Sequence, residues 1–585
     1  MVNARGTLGL ASMLVACVGC NAFDAPIDDD SDGQHLVIPT DIRKPTVAEK
    51  KPPSVSGGTL LVTRSGSFAV ASDPERDAML VADIARGVVV HQIALLPGDE
   101  PGRLVEDGAG RVHVALRRGG AVVTLDPTAG LIVDRRAVCA APRGLALSAP
   151  DTLAVACADG KLVSLPTGPG AVLRSIALPP DLRDVVVQND VTTVTRFKSA
   201  ELLRLDASGS VARRNRPASV FGIRSVPVES KRDGFDAPLR QVEQPFRPLV
   251  AWRTLAGPNG STVVVHQRAV DATIEISEPT VSGSSYGGGD GSGGFSCGGI
   301  AQNAVTVFGP GGASADVTFA GAPLPVDATL LPDGATLLVA HAGARDPEAP
   351  RPFVVFDDHS SPMPASTGGV HLGLSTLSVV ALPPPPSGEP APEGTVAPDP
   401  QCQSVVTLPI FDPAVAVAYN PVRPSQIVVQ TRQPSTLVIV DDIYQGFNQR
   451  TVPFDDGTTL DTGFQLFHRD SGGGIACATC HAEGAEDGNV WRFEGMGARR
   501  TQALDIGLEG TAPFHWDGTL YSLGMLMNEV FVGRMGGIHE SPARLRALEG
   551  WMFAQRPLPP LRDANDAAAL RGKELFESTA VGCAS

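Results

Sequence analysis

Beyond its extreme N-terminus the sequence has no apolar run of about 20 residues, so no later segment can cross a bilayer as a helix. It also has fewer basic than acidic residues, with 47 Lys and Arg and 63 Asp and Glu, so its formal net charge is -16. An acidic surface is not attracted to nucleic acid or to anionic lipid, so we expect no nucleic-acid partner. Charged residues make up only 19% of the 585 residues, whereas Gly and Pro number 64 and 50. This composition, in a chain long enough for several domains, predicts a mainly β protein with many short strands.

The N-terminus predicts an export signal over residues 1–17, because a basic residue precedes a short apolar run. The run ends in Leu-Val-Ala-Cys at residues 14–17, which resembles the lipobox of bacterial lipoproteins. The resemblance implies lipidation of Cys17, with Cys20 as the alternative acceptor; an ordinary cleaved signal is the other interpretation. We therefore expect a periplasmic, outer-membrane or cell-surface lipoprotein that contacts the membrane only through its lipid anchor. Residues 18–55 are acidic and contain Pro, a composition that predicts a disordered tether.

An internal repeat of about 40 residues runs through the long central part of the chain. Related tetrapeptides at residues 102–105, 143–146 and 183–186 mark three units, and weaker ones bring the number to seven. A propeller blade has this period, and its inner face is covered only when it stacks on the next blade. We therefore predict a seven-bladed β-propeller over residues 56–447. The rhythm resembles the exported propellers of the YVTN/YncE-like type, which implies a ligand-binding face but does not identify the ligand.

Four of the cysteines belong to the predicted propeller. Cys139 and Cys157 lie on neighbouring predicted strands, and Cys297 and Cys402 each border a loop, so each pair can form a disulfide after export. Buried free thiols are the alternative, because connectivity cannot be read from sequence. The Gly/Ser tract at 282–299, which contains Cys297, is too low in complexity to pack and predicts a solvated loop.

From residue 463 the strand repeat gives way to a different pattern. It predicts a short amphipathic helix and a Gly-rich loop, followed by Cys-Ala-Thr-Cys-His at residues 477–481. Two thiols at this spacing can add to the two vinyl groups of haem, and the adjacent His481 can ligate its iron. We therefore predict one covalent haem c on Cys477 and Cys480. The alternatives are a thioredoxin-like dithiol, which needs a βαβ setting, a structural zinc site, which needs a second ligand pair that is absent downstream, and chance occurrence.

The approach to this motif is repeated near the end of the sequence. Gly-Lys-Glu-Leu-Phe at residues 572–576 and the following Val-Gly-Cys echo the helix and loop that precede Cys477. A second haem motif thus begins at Cys583, and its second thiol and histidine would lie beyond Ser585. We expect the printed chain to be a truncated form that would carry a second haem if complete.

Between the two motifs stand Arg500, Phe-His-Trp-Asp-Gly at residues 514–518 and Met-Gly-Gly at residues 535–537. Together with the two motifs they resemble the bacterial di-haem cytochrome c peroxidase and MauG family. The resemblance implies an all-α c-type cytochrome domain over residues 455–562 and the start of a second one over residues 563–585. It also implies that the indole of Trp516 lies between two haems on the electron path, and that the partner is a redox protein or a small electron donor.

The sequence departs from the family at three places. A distal glutamate commonly precedes the Met-Gly-Gly segment as acid/base for peroxide cleavage, and here Arg534 occupies that place, with Glu529 five residues earlier as the substitute. The distal-loop histidine has no counterpart, which leaves Met496 as the nearest candidate sixth iron ligand, followed by Met525 and Met527. Thr501 replaces an Asn that helps to bind an interdomain calcium, so the resemblance does not carry the calcium over.

The sequence is therefore compatible with three functions. The first is a redox enzyme of the peroxidase/MauG class, which would oxidise a partner or substrate at haem. The second is a non-catalytic electron carrier at the cell surface. The third is a propeller-based binding or scaffold protein with an accessory cytochrome.

Overall fold

A computed structural model describes most of the chain, apart from the N-terminal 33 residues and several internal and C-terminal stretches. The described residues are 34–227, 239–276, 285–287, 297–346, 348–350, 353–356, 375–392, 394–398, 401–445, 448–454, 459–559 and 566–583. The expected signal sequence, with both lipidation candidates Cys17 and Cys20, lies outside them. Within these ranges, no helix has the length and apolarity needed to cross a membrane.

Antiparallel sheets, here called blades 1 to 7, follow one another along most of the described chain. Blades 1 to 4 have four strands each, in chain order: Leu60–Val62, Phe68–Asp73, Ala78–Asp83 and Val88–Ala94; Pro101–Glu106, Val112–Leu116, Ala121–Asp126 and Leu131–Ala137; Pro142–Ala149, Thr152–Cys157, Lys161–Pro166 and Arg174–Ala177; Leu182–Gln188, Val191–Arg196, Leu202–Leu205 and Val211–Asn215. In blades 1 and 2 the second and third strands are almost fully buried, because neighbouring blades cover both of their faces.

The remaining three blades include the irregular one. Blade 5 has five antiparallel strands, Ser219–Pro227, Leu239–Ala256, Thr262–Val270, Ala301–Phe308 and Ser314–Phe319, with Val396–Ala397 and Cys402–Gln403 added in parallel at its two edges. Blade 6 comprises Pro325–Leu330, Thr336–His341, Leu377–Ala381 and Val406–Leu408, and blade 7 comprises Ala414–Asn420, Arg423–Thr431, Thr436–Val440 and Gln449–Pro453. A separate pair joins Gln34–Val37 to Phe353–Phe356.

The blades form a closed ring, because every adjacent pair shares an apolar cluster, including the first and the last. At the closure, Leu80 of blade 1 belongs to one cluster with Val428 of blade 7. Hydrogen bonds cross the same seam, for example from the Gln430 Nε2 to the carbonyl of Ser72 at 2.8 Å. The fold is therefore a β-propeller, and the number of blades in the described chain equals the number of repeats read from the sequence.

Two disulfides join parts of the propeller. Cys139 is bonded to Cys157, and Cys297 is bonded to Cys402 over a sequence separation of 105 residues. These are the two pairings that the sequence put forward. The second one anchors the insertion of blade 5 to the edge strand that begins at Cys402.

In the C-terminal segment, the described residues form five α-helices, which are α1 Thr462–His468, α2 Cys477–Cys480, α3 Leu523–Leu526, α4 Pro542–Ala554 and α5 Ala567–Glu577. A π-helical turn, Met527–Val532, continues α3. The segment is not all-α as expected, because Val490–Phe493 and Gly497–Arg500 form a hairpin that pairs with the propeller strand Thr273–Ile274. Helix α5, which leads to Cys583, has no buried residue.

The N-terminal stretch from residue 40 to residue 56 differs from a free tether, because it runs along the C-terminal segment. Its Thr40–Asp41 strand pairs in parallel with His539–Glu540. The buried Trp551 of α4 donates from its Nε1 to the carbonyl of Pro52 at 2.9 Å. One apolar cluster combines Val55, propeller residues such as Trp252, and Trp551, so the propeller and the C-terminal segment share a core.

Candidate functional site

The cysteine motif is presented by a short helix that the preceding segment holds in place. Helix α1 begins after Asp461, whose side chain accepts from the Phe464 amide at 3.0 Å, and Phe467 of α1 packs against Trp551 at 4.8 Å between ring centroids. In the Gly-rich loop, the Asp470 carboxylate accepts from two glycine amides. Helix α2 then starts with Cys477, and the Thr479 hydroxyl accepts from the Ala476 amide at 3.0 Å.

An apolar cavity of about 970 Å³, its open mouth included, lies directly beside this helix. The motif contributes Cys477, Cys480 and His481 to its wall. The rest of the wall is mostly aromatic and aliphatic, and includes Phe467, Trp491, Phe493, Met527, Met535 and Met552. Its size is within the range of cofactor sites, about 300–1,000 Å³, and few polar side chains line it.

The two thiols are free and protonated. Cys477 and Cys480 are not joined to each other or to any described cysteine. Burial raises the pKa of Cys477 to about 11 and raises that of Cys480 well above its usual value, with the nearby Asp487 adding to the second shift. A dithiol redox centre of the thioredoxin kind requires a lowered thiol pKa, so the environment disfavours that alternative.

The imidazole of His481 is oriented for metal binding. Its Nδ1 lies 3.0 Å from the carbonyl oxygen of Gln502 and 3.2 Å from that of Ala485. Both partners only accept, so Nδ1 carries the proton and Nε2 keeps its lone pair. Burial lowers the pKa of His481 and favours this neutral form. A ring nitrogen fixed by a backbone carbonyl is the usual support of a metal-ligating histidine.

Met496, the candidate sixth ligand, is not among the residues that line the cavity. Met496 lies in the turn of the 490–500 hairpin and does not line the cavity, nor does Met525, which is exposed. The methionines that do line it are Met527, Met535 and Met552. Met496 is the nearest methionine in sequence, and it packs against the apolar cluster to which the cavity wall belongs.

The expected catalytic pair forms an ion pair beside the cavity. Arg534 is buried and bonded to the half-exposed Glu529, and neither lines the cavity. Arg534 also donates from its Nη1 to the hydroxyl of Tyr286 at 3.2 Å, and Tyr286 does line the cavity. A phenol from the propeller therefore occupies the wall next to this pair.

Tyr286 comes from the insertion that the sequence predicts as a solvated loop. The residue is buried, and its backbone amide donates to the carbonyl of Arg534 at 2.9 Å. Burial raises the pKa of Tyr286 to about 12, and the position of Cys480 adds to the rise, which places the phenol near the motif. The sequence signal is weak, since Tyr286 is one of two aromatic residues in this Gly/Ser tract, together with Phe295, and one of 4 Tyr in the chain.

Trp516 lies at the edge of the same cavity and is half-buried. Its Nε1 donates to the carbonyl of Arg500 at 2.8 Å, and its ring lies 5.1 Å from Phe493 and 4.2 Å from His515. Thr501, at the position of the family's calcium-binding Asn, accepts from the Trp491 Nε1 at 3.0 Å. Cys583 is exposed.

Glu483, two residues after His481, enters the end of the propeller axis. Its carboxylate contacts Arg117 of blade 2 at 2.9 Å, Arg143 of blade 3 at 3.2 Å, and Arg183 of blade 4. Burial alone would raise the pKa of Glu483, but the three guanidinium groups outweigh it and hold the pKa well below its usual value. We call this cluster the arginine socket. It was missed in the sequence because Glu483 is at least 300 residues away from each of the three arginines.

Comparisons with known proteins agree in fold only. No family model and no curated protein matches the chain. Similar solved structures include hydrazine synthase from Kuenenia stuttgartiensis, with a TM-score of 0.43, 14% identity, and coverage of 68% of this chain and 98% of that one. The β-propeller domain of Cps50 (Swd1) from Myceliophteria thermophila has a TM-score of 0.38, 10% identity, and coverage of 69% and 99%. Virginiamycin B lyase from Staphylococcus aureus has a TM-score of 0.36, 10% identity, and coverage of 68% and 95%. These loose overlaps carry no argument about what this chain does.

Proposed function

We propose that this chain is an exported haem c protein that transfers electrons, with haem attached to Cys477 and Cys480 and ligated by His481. One observation carries the proposal: two free thiols and an imidazole with an unprotonated Nε2 line one side of a large apolar cavity. The residues present therefore fit the group. When bound, haem supplies a one-electron couple whose potential depends on its ligands and its burial.

Other residues of the chain would exclude water, orient the imidazole of His481 and carry the electron. The apolar wall excludes water, and the Gln502 and Ala485 carbonyls orient the imidazole. Trp516 extends from the cavity to the surface, so we assign the electron path to its indole. A redox partner protein or a small electron donor would act at this edge. The two disulfides support an oxidising compartment, which agrees with the lipoprotein signal in the sequence.

Two finer functions remain within this proposal. A di-haem peroxidase of the MauG kind is supported by the motifs around Trp516 and by the start of a second motif at Cys583. A non-catalytic carrier is supported by the cavity wall, which contains three methionines and no carboxylate among the described residues. Hydrogen peroxide added to the reduced protein distinguishes them, because rapid repeated oxidation indicates the enzyme and inertness indicates the carrier.

The haem proposal is tested by expressing the full chain together with a cytochrome c maturation system. We expect a mass increase of one haem per chain and a haem stain that survives denaturing electrophoresis. The double variant Cys477→Ser, Cys480→Ser should lose both signals, whereas Cys583→Ser, which alters the exposed thiol, should keep them. A wild-type chain without covalent haem under these conditions would overturn the proposal.

A further inference from the structure

The propeller contributes the phenol of Tyr286 to the cavity wall, and several contacts hold this residue in place. Besides the backbone bond from Tyr286 to Arg534, the carbonyl of Tyr286 accepts from the Ile300 amide at 3.0 Å. The neighbouring carbonyl of Ser285 accepts from the fully buried Arg224 at 2.6 Å. The disulfide of Cys297 pins the return of the same insertion to the edge of blade 5. A side chain held in this way keeps one position, which is what a binding group requires.

The hydroxyl of Tyr286 is also set up as a donor. A phenolic oxygen can accept and donate, and its accepting role is taken by the Arg534 Nη1 at 3.2 Å. Arg534 is itself fixed, because Glu529 binds its other terminal nitrogen. Among the described residues no acceptor receives the hydroxyl proton of Tyr286. The ring lies 5.8 Å from Phe493, and both belong to the wall that contains His481.

We propose that Tyr286 is the residue that hydrogen-bonds a small anion, of the class of hydroperoxide or cyanide, bound in the haem cavity. The inference rests on the proposed haem function and assigns to the propeller a direct part in it. The guanidinium of Arg534 polarises the phenol, and Glu529 holds Arg534 in place. Arg534 and Glu529 are therefore positioning residues, and the family's distal glutamate is replaced by a group from another part of the chain.

Cyanide binding to the oxidised full-length holoprotein is the measurement. We expect Tyr286→Phe to keep the covalent haem and to raise the cyanide dissociation constant roughly tenfold or more, the usual weight of a hydrogen bond to a charged group. Tyr444→Phe makes the same chemical change at a side chain that is 71% exposed on the propeller, and it should bind cyanide like the wild type. Arg534→Lys should give a smaller increase, because it alters only the orientation of the phenol.

A second measurement uses the wild-type protein and therefore does not require any variant to fold. In the wild-type cyanide complex, exchange of water for deuterium oxide should shift the iron–cyanide vibrations, since a hydrogen bond to the ligand carries an exchangeable proton. Equal cyanide affinity in wild type and Tyr286→Phe, or wild-type vibrations insensitive to deuterium, would overturn the inference. Covalent haem that binds no cyanide would overturn it as well and would leave the haem proposal intact. Absence of covalent haem would instead overturn the proposal on which it rests.

Discussion

The arginine socket gives the most quantitative prediction. In Glu483→Gln the amide keeps the size of the side chain and one acceptor, but it removes the negative charge that three buried guanidinium groups share. Arg117 retains Glu100 at 3.0 Å and Arg143 retains Asp181 at 2.9 Å. The described residues offer Arg183 no other carboxylate at salt-bridge distance.

The magnitude follows from this asymmetry. Removal of one partner from a buried ion pair costs about 3–5 kcal/mol, because the other charge stays buried and uncompensated. Since only Arg183 loses its carboxylate and the amide oxygen can still accept, we expect a loss near the lower end, about 3 kcal/mol of unfolding free energy. Arg183 also lies over the Phe197 ring at 4.5 Å, which partly stabilises the remaining cation.

The assay is urea unfolding of the full chain at neutral pH, followed by circular dichroism for the strands and by tryptophan fluorescence for the core around Trp551. Glu486→Gln is the matched control, because it makes the same change three residues later at a more exposed carboxylate that binds Arg500 and Lys198. Such a pair contributes about 0–1 kcal/mol. If Glu483→Gln is no more destabilising than Glu486→Gln, the arginine socket does not join the C-terminal segment to the propeller.

The sign of the pH dependence is a further check on the same residue. The pKa of Glu483 is lowered in the folded state from 4.5, so its stabilisation is fully present above that value and is lost as the pH falls toward the folded pKa. The wild type should therefore lose stability in strong acid more steeply than Glu483→Gln. Parallel acid unfolding curves for the two proteins would contradict the assignment.

Two further predictions concern buried groups near the site and the long disulfide. Burial raises the pKa of Asp487 from 3.8 to about 6, so the folded state holds its proton more tightly and stability should fall as the pH rises through 6. Asp487→Asn should flatten this dependence and gain about 3 kcal/mol at pH 8, since each pKa unit corresponds to about 1.4 kcal/mol, and an unchanged slope between about pH 4 and 6 would refute the shift. The double variant Cys297→Ala, Cys402→Ala opens a loop of 105 residues and should cost about 4 kcal/mol in urea unfolding, and it should also loosen Tyr286. A loss under about 1 kcal/mol would show that the insertion is held without the bond.

Local features of the sequence predicted much of this molecule. The propeller rhythm is local, because each blade carries its own alternation and turns. The spacing of residues 477–481 is local as well, and the proposal of a haem site depends on it without reference to any fold. The cavity wall was only partly predictable. Trp516, named from its motif, lines the cavity, whereas Met496, named from its proximity in sequence, lies in the hairpin turn and is not among the lining residues.

Long-range contacts account for the residues that were missed. Tyr286 is 195 positions from His481 and lies in a tract whose composition predicts a solvated loop. Its position depends on Arg534, on Ile300 and on a disulfide to Cys402, none of which leaves a pattern in the tract itself. Glu483 likewise has an ordinary sequence context, and its environment arises only when three blades converge.

The socket also bears on where a partner can bind. A ligand that took the place of the Glu483 carboxylate among the three arginines would leave Arg183 buried without a carboxylate, at a cost of about 3–5 kcal/mol. The apolar cluster that contains Trp252 and Trp551 joins the same two parts of the chain. An electron-transfer partner at the edge around Trp516 disturbs neither, since that indole is already half-exposed. These contacts join the propeller firmly to the segment that carries residues 477–481, and they agree with our proposal that the two parts act together.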